Sequence, residues 1–106
     1  VELFDWYAAT FASGSKRLVF TEIGYVASDF AVRRPWEMQD DCFVGTELRP
    51  FNGALQARAY AALLQAGAGL DGIFWWHWEP YALEAADGQC RYSPQGKPAE
   101  AVLQVR

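Results

Sequence analysis

The sequence predicts an α/β fold with parallel strands, on three observations. Apolar runs of strand length alternate with runs of helical period, the pattern of βα units. Both strand-like runs, Leu18 to Tyr25 and Gly72 to Trp78, are apolar on both faces, as in strands covered from two sides. A long irregular stretch follows each of them and leads into a helix, where α/β folds carry their functional loops.

The elements follow in order. Glu2 to Ala12 places Leu3, Phe4, Tyr7, Ala8 and Phe11 on one helical face. Ser13-Gly14-Ser15 ends that helix. Lys16-Arg17 leads into the first strand, Leu18-Val19-Phe20-Thr21-Glu22-Ile23-Gly24-Tyr25. On an extended chain Leu18, Phe20 and Glu22 share one face, and Val19, Thr21 and Ile23 the other. Val26 to Phe51 reads as a long polar connection with Arg33-Arg34-Pro35-Trp36 and Asp40-Asp41 inside it. Asn52 suits an N-cap, and Leu55, Ala59, Ala62, Leu63 and Ala66 follow at helical spacing. Gly67 and Gly69 stop this helix. Gly72 to Trp78 is the second strand, ended by Glu79-Pro80. A further irregular stretch runs to Gly96, and Pro98 opens a closing helix to Val105.

The order α-β-loop-α-β-loop-α matches part of a (β/α)₈ barrel, in which the loops after the strands build the site. Two strands cannot close a barrel of ~250 residues. The fold class expected is therefore α/β, a partial (β/α)₈ TIM barrel, with residues 1–106 forming the C-terminal portion of one domain and the missing strands lying upstream. A start without methionine, directly in helix-like sequence, fits a piece of a longer chain.

Bulk composition narrows the function classes. The chain has 106 residues, 52% hydrophobic, with a formal charge of -4. That supports one small core and speaks against a nucleic-acid partner, which calls for a clustered basic face. No apolar run approaches the ~20 residues of a membrane span, and no basic-then-apolar leader opens the chain, so no membrane partner is expected. Cys42 and Cys90 fall in separate loops, and free thiols are the expectation, a disulfide becoming plausible on export.

Glu22 is the central chemical candidate. A carboxylate at the C-terminal tip of a buried strand is costly unless its charge is used or satisfied, and ligands of α/β sheets bind at that end. The alternative is a solvated loop carboxylate. Trp75, Trp76 and Trp78 form the second signal, because three indoles each need an N–H partner if all are core. In a cleft, such rings offer flat platforms to the C–H faces of sugars. Gly67-Ala68-Gly69-Leu70-Asp71-Gly72 matches G-x-G-x-x-G but follows a helix and precedes a strand, the reverse of the dinucleotide fingerprint; it reads as a helix stop. The single histidine, His77, has no ligand set around it for zinc and is expected to be packed or hydrogen-bonded. No cofactor or metal is called for. No serine stands in a G-x-S-x-G elbow.

Phe20-Thr21-Glu22-Ile23-Gly24-Tyr25, Arg34-Pro35-Trp36, Gly72-Ile73-Phe74-Trp75-Trp76 and Tyr92-Ser93-Pro94-Gln95-Gly96-Lys97-Pro98-Ala99 together resemble the C-terminal part of a clan A glycoside hydrolase, the family 113 β-mannanase-like group above all. The resemblance covers nearly the whole chain but only the last two βα units of that fold, strands seven and eight with a preceding helix. It implies retaining glycoside hydrolysis of an oligo- or polysaccharide, with Glu22 as nucleophile. It implies Trp76 as the floor of the subsite for the sugar being cleaved, a cis peptide after it, and Trp36 and Trp78 as further sugar contacts. In that clan the acid/base ends strand four, which is absent here. Glu79 and Glu84 lie near the expected face without matching its motif, so the acid/base would come from missing upstream sequence. The competing expectation is a small non-catalytic α/β interaction or carbohydrate-binding protein. In either case the missing barrel half or self-association would cover the sheet edges.

Overall fold

The computed structural model describes residues 2–12, 14–37, 41–80 and 89–104. The elements are α1 (Glu2–Phe11), β1 (Val19–Ile23), β2 (Phe43–Val44), β3 (Glu47–Leu48), α2 (Gly53–Ala66), β4 (Gly72–Trp75) and α3 (Pro98–Gln104). The result is a mixed α/β chain with a short parallel sheet, as expected. Ser13, Asp40, Glu84 and Val105, singled out in the sequence, lie outside the described residues.

β1 and β4 pair in parallel, with Val19 opposite Gly72, Phe20 opposite Ile73, and Ile23 opposite Trp75. The register shifts between Phe20 and Ile23, so the strict two-residue alternation expected across β1 breaks there. β4 ends at Trp75, three residues short of the expectation, and the Trp76–His77 peptide bond that follows is cis. That bond agrees with what the family resemblance implies.

Local chemistry explains the helices. Asn52 caps α2, its side chain accepting from the Leu55 N–H at 2.9 Å. The same amide donates to Asp29 at 2.7 Å, tying the capped end to the connection that follows β1. Gly67 closes α2, its N–H bonding back to Leu63. The G-x-G-x-x-G match is therefore a helix stop and a strand entry. Pro98 is the first residue of α3, where its missing N–H costs nothing.

The core does not sit where a polar connection was expected. Val26, Ala27, Ser28 and Ala31, all in the stretch after β1, are buried with Ala59, Tyr60 and Leu63 of α2 and Ala99 of α3. Their backbone groups are bonded across the chain: Ala27 donates to Cys90, Asp29 to Pro50, and Asn52 to Ala27. The buried polar residues are partly paired, with Arg49 Nε and Gln56 Oε1 left without a hydrogen-bond partner among the described residues. Arg49 is buried, ion-paired to Glu37 and Glu47, with its guanidinium 5.0 Å from the Phe30 ring. The stretch also contains the antiparallel β2–β3 hairpin. Gly45, at φ +61°, takes its first turn position, where glycine is favoured in two-residue hairpins.

The expectation of free thiols is corrected. Cys42 and Cys90 form a disulfide, with Cα atoms 5.1 Å apart. Distance along the chain hid this, since the two residues are 48 positions apart and meet only once the connection folds back on residues 89–93.

Large apolar residues are left open on α1 and on β4. In α1, Phe4 and Tyr7 pack on Phe20 with ring centroids 5.2 and 5.8 Å apart, yet Leu3, Trp6 and Phe11 remain exposed. Phe74 of β4 is 64% exposed. The radius of gyration is 14.9 Å, against about 13 Å for a packed domain of this length. Among the described residues, no helix is long and apolar enough to cross a membrane.

Reducing the disulfide is expected to lower stability. Opening a 48-residue loop releases chain entropy worth about 4 kcal/mol. Urea unfolding with and without reductant measures this, and the Cys42→Ala/Cys90→Ala variant should match the reduced protein.

Candidate functional site

Parallel pairing brings the C-terminal tips of β1 and β4 to the same end of the sheet. A cleft of about 590 Å³ opens there, lined by residues 22–25, Pro35, Trp76 and Tyr92. Glu22 and Trp76, from different strands, thus face one opening. The Trp76 N–H donates to the Ile23 carbonyl at 2.7 Å, carrying the strand pairing one step past β4.

Gly24 is the residue that lets the two tips meet. A Cβ placed on it would land on the Trp76 carbonyl oxygen, far inside van der Waals contact. The glycine two positions after Glu22 is therefore required by close approach of two backbones. Glu22 itself is exposed, with its carboxylate open to the cleft.

The three tryptophans of the second apolar run have separate environments. Trp75 turns inward and stacks on Tyr60, centroids 4.3 Å apart and planes 8° apart, a contact worth about 1 kcal/mol beyond its buried area. Trp76 is 47% exposed in the cleft. Trp78 is exposed and does not line the cleft. Trp36 is exposed too; its neighbour Pro35 reaches the cleft wall, whereas its own ring does not. Of the four residues singled out in the sequence, Glu22 and Trp76 are brought together, and Trp36 and Trp78 lie outside the lining.

Behind Trp76, the His77 Nε2–H donates to the Glu79 carboxylate at 2.8 Å, the hydrogen-bonded role expected of it. Its ring lies 5.2 Å from that of Trp76 and 6.4 Å from that of Tyr92. Glu79 is buried, and its backbone N–H donates to Gln95 at 2.8 Å. Glu79 is thereby committed to His77 and is not part of the cleft lining. The carboxylate of Asp41 and the two cysteine sulfurs come close together, but the sulfurs are bonded to one another and offer no thiolate to a metal.

Tyr92 is the cleft residue to which sequence reasoning gave no role. Its side chain lines the cleft together with the tip of β1, and its hydroxyl donates to the Pro35 carbonyl at 3.4 Å. Burial raises its pKa, and the Glu22 charge raises it further, so the phenol stays protonated at neutral pH. The available signal was its place in Arg91-Tyr92-Ser93-Pro94, an aromatic inside a turn-rich stretch that precedes a helix.

Lys97 holds this stretch from below, its ammonium donating to the Arg91 carbonyl at 2.8 Å and the Ser93 carbonyl at 2.7 Å. Burial lowers its pKa to about 8, against an upward pull from Asp41 and a further downward push from Arg91. Tyr60 is pushed up to about 12 by burial.

Two outcomes follow for this region. Gly24→Ala should destabilise the chain by at least about 1–3 kcal/mol and shift the Trp76 indole resonance, as read by urea unfolding and NMR. For pH, the unfolded chain keeps the Lys97 proton up to 10.5 while the folded chain releases it near 8, so this group makes stability rise between those values. Tyr60 acts oppositely, because above pH 10 the unfolded chain loses the phenolic proton that the folded chain holds to about 12. Unfolding free energy should climb above pH 8 and turn over above pH 10, and Lys97→Met should remove the climb.

No family model and no curated protein matches the sequence. Among solved structures, one described as "Complex structure of GH113 beta-1,4-mannanase" matches with a TM-score of 0.73 at 22% identity. The match covers 99% of this chain and 35% of the mannanase chain, so the chain spans about a third of the length of that enzyme. At this identity the likeness shows the fold alone: an α/β arrangement similar to part of a TIM-barrel enzyme.

Proposed function

We propose that this chain is the nucleophile-bearing C-terminal part of a retaining, β-mannanase-like glycoside hydrolase, forming the last two βα units of a (β/α)₈ barrel. The observation that carries the reading is the shared cleft of Glu22 and Trp76 at the C-terminal ends of two parallel strands. Among the described residues, the outer edges of β1 and β4 are unpaired and the apolar face of α1 and Phe74 is open. Both features support a barrel continuation, since such edges and faces otherwise invite association.

In this reading the sugar being cleaved lies over the Trp76 indole, which presents a flat apolar face to its C–H bonds. A Glu22 carboxylate oxygen attacks the anomeric carbon while the bond to the leaving-group oxygen breaks. A carboxylic acid from the missing barrel part gives that oxygen its proton. The glycosyl ester on Glu22 is then opened by water, whose proton returns to the same acid/base group, and Glu22 leaves as carboxylate. Retention requires the two carboxyls about 5 Å apart. Glu79, tied to His77 behind the cleft, is not placed for that task, and the partner carboxyl is assigned to upstream sequence. Trp36 and Trp78, exposed beyond the cleft, serve as outer sugar contacts.

A second reading is a non-catalytic carbohydrate-binding or interaction protein, favoured by the exposure of Trp36 and Trp78. It differs in one respect: a saccharide-dependent change in Trp fluorescence would survive Glu22→Gln with no turnover under any condition.

The test is hydrolysis of mannan and aryl β-mannosides. Alone, the 106-residue chain is expected to cleave nothing, since it holds half of the catalytic pair. Combined with an upstream barrel part that ends a strand in a carboxylate, it should turn over, and Glu22→Gln should reduce that turnover to background. Turnover retained by Glu22→Gln would remove Glu22 from the reaction.

A further inference from the structure

Gln56 is a polar residue in the buried stripe of α2, fully shielded from solvent. Its position on the Gln56-Ala59-Tyr60-Leu63 face would suit a leucine on packing grounds alone. A buried amide is retained at a cost unless its hydrogen bonds are made. Gln56 makes two with its nitrogen, while its Oε1 is buried without a partner among the described residues. Its Nε2 donates to the Tyr25 carbonyl at 2.8 Å and to the Tyr92 carbonyl at 3.0 Å. Two converging carbonyl oxygens accept only from the NH₂ end of an amide, so the chemistry fixes the orientation of the side chain.

Both acceptor residues line the cleft: Tyr25 follows the tip of β1, three residues beyond Glu22, and Tyr92 comes from the stretch that precedes α3. They are 67 residues apart in the chain, and one side chain bonds both. The stretch around Tyr92 is held besides by Tyr60, whose hydroxyl reaches the same carbonyl at 3.4 Å, and by Lys97 at the carbonyls on either side. Those bonds fix residues 91–93 to α2 and to Lys97, the residue before α3. Of these three side chains Gln56 alone also reaches the β1 side, where it acts beside the backbone bond from the Ala27 N–H to the Cys90 carbonyl and the Tyr92 hydroxyl's bond to the Pro35 carbonyl.

We propose that Gln56 is a positioning residue of the Glu22 cleft: by bonding the Tyr25 and Tyr92 carbonyls together it sets how far the Tyr92 phenol stands from the Glu22 carboxylate. The importance of that distance for sugar cleavage rests on the function proposed above; the tie itself does not. A neutral phenol whose proton goes to the Pro35 carbonyl still accepts from a substrate hydroxyl, and a wall free to drift would lose that alignment.

The readout is the titration of Tyr92 in the 106-residue chain, followed by NMR of ¹³Cζ-labelled tyrosine and assigned with Tyr92→Phe. The groups facing the phenol are Glu22 from β1, the His77 ring beyond β4, and, through the backbone beneath it, Lys97. With Gln56 intact, Glu22→Gln is expected to lower the Tyr92 midpoint, because it removes the opposing charge. In Gln56→Met, a variant of similar volume without a donor, Glu22→Gln should change the midpoint by less than half as much. Tyr60→Phe should leave the full Glu22 effect, since the tie to Tyr25 is untouched. An equal Glu22 effect in the Gln56 protein and in the donor-free Gln56→Met variant would overturn the proposal. Where Gln56→Met does not fold, exchange of the wild-type Gln56 side-chain amide protons decides: both should be protected, and exchange of either at the rate of free glutamine overturns the tie. No saccharide enters these measurements, so failure of the hydrolase reading leaves them intact, and their failure leaves the Glu22 hydrolysis test untouched.

Discussion

The parallel pairing of β1 and β4 is the constraint on which the rest depends. Parallel strands share a direction, so their C-terminal tips lie side by side, and residues that follow the strands meet at one opening. Here the pairing continues past β4 through the Trp76 N–H to the Ile23 carbonyl, and Gly24 accepts the Trp76 carbonyl where any side chain would block it. The carboxylate of Glu22 and the indole of Trp76 are neighbours because of this backbone contact. Were the strands antiparallel, the same residues would stand at opposite ends of the sheet.

Around that sheet the stabilising contacts are distributed unevenly. The long connection after β1 supplies much of the core, with Val26, Ala27 and Ala31 packed toward α2. It is closed by the Cys42–Cys90 disulfide and by the Arg49 ion pairs with Glu37 and Glu47. A connection made this way behaves as a structural wall and carries Pro35 to the cleft. By contrast, α1 and β4 keep large apolar residues exposed, among them Leu3, Trp6, Phe11 and Phe74.

The candidate site is held mainly by side chains that bond main-chain carbonyls. Gln56, Tyr60 and Lys97 together cover the carbonyls of residues 91–93. Such bonds place a backbone segment without regard to which side chain it bears, leaving Tyr92 free to face the cleft. Burying these donors is tolerated because each has an acceptor, and the lowered pKa of Lys97 records the desolvation.

Much of the secondary structure was legible because its causes are local. Asn52 caps a helix through a residue three positions on, Gly67 ends it through a carbonyl four positions back, and Pro98 begins the next by lacking an N–H. The apolar runs marked both strands, and a carboxylate at a strand tip marked Glu22. The order of elements, helix before and strand after, also separated the glycine-rich stretch at the start of β4 from a dinucleotide loop, although its spacing matches. Other features were decided only in three dimensions: the disulfide across 48 positions, the core inside a stretch that looked polar, the inward turn of Trp75 against the outward face of Trp76, and the recruitment of Gln56 and Tyr92. Each depends on partners tens of residues away, and a side chain's spacing in the sequence carries no record of which distant carbonyl or ring it will meet. Amino-acid order therefore determined the three helices, the two parallel strands and the carboxylate near a strand tip, while chain folding decided the β2–β3 hairpin inside the long connection and which residues share the cleft with that carboxylate, because both are properties of tertiary contact.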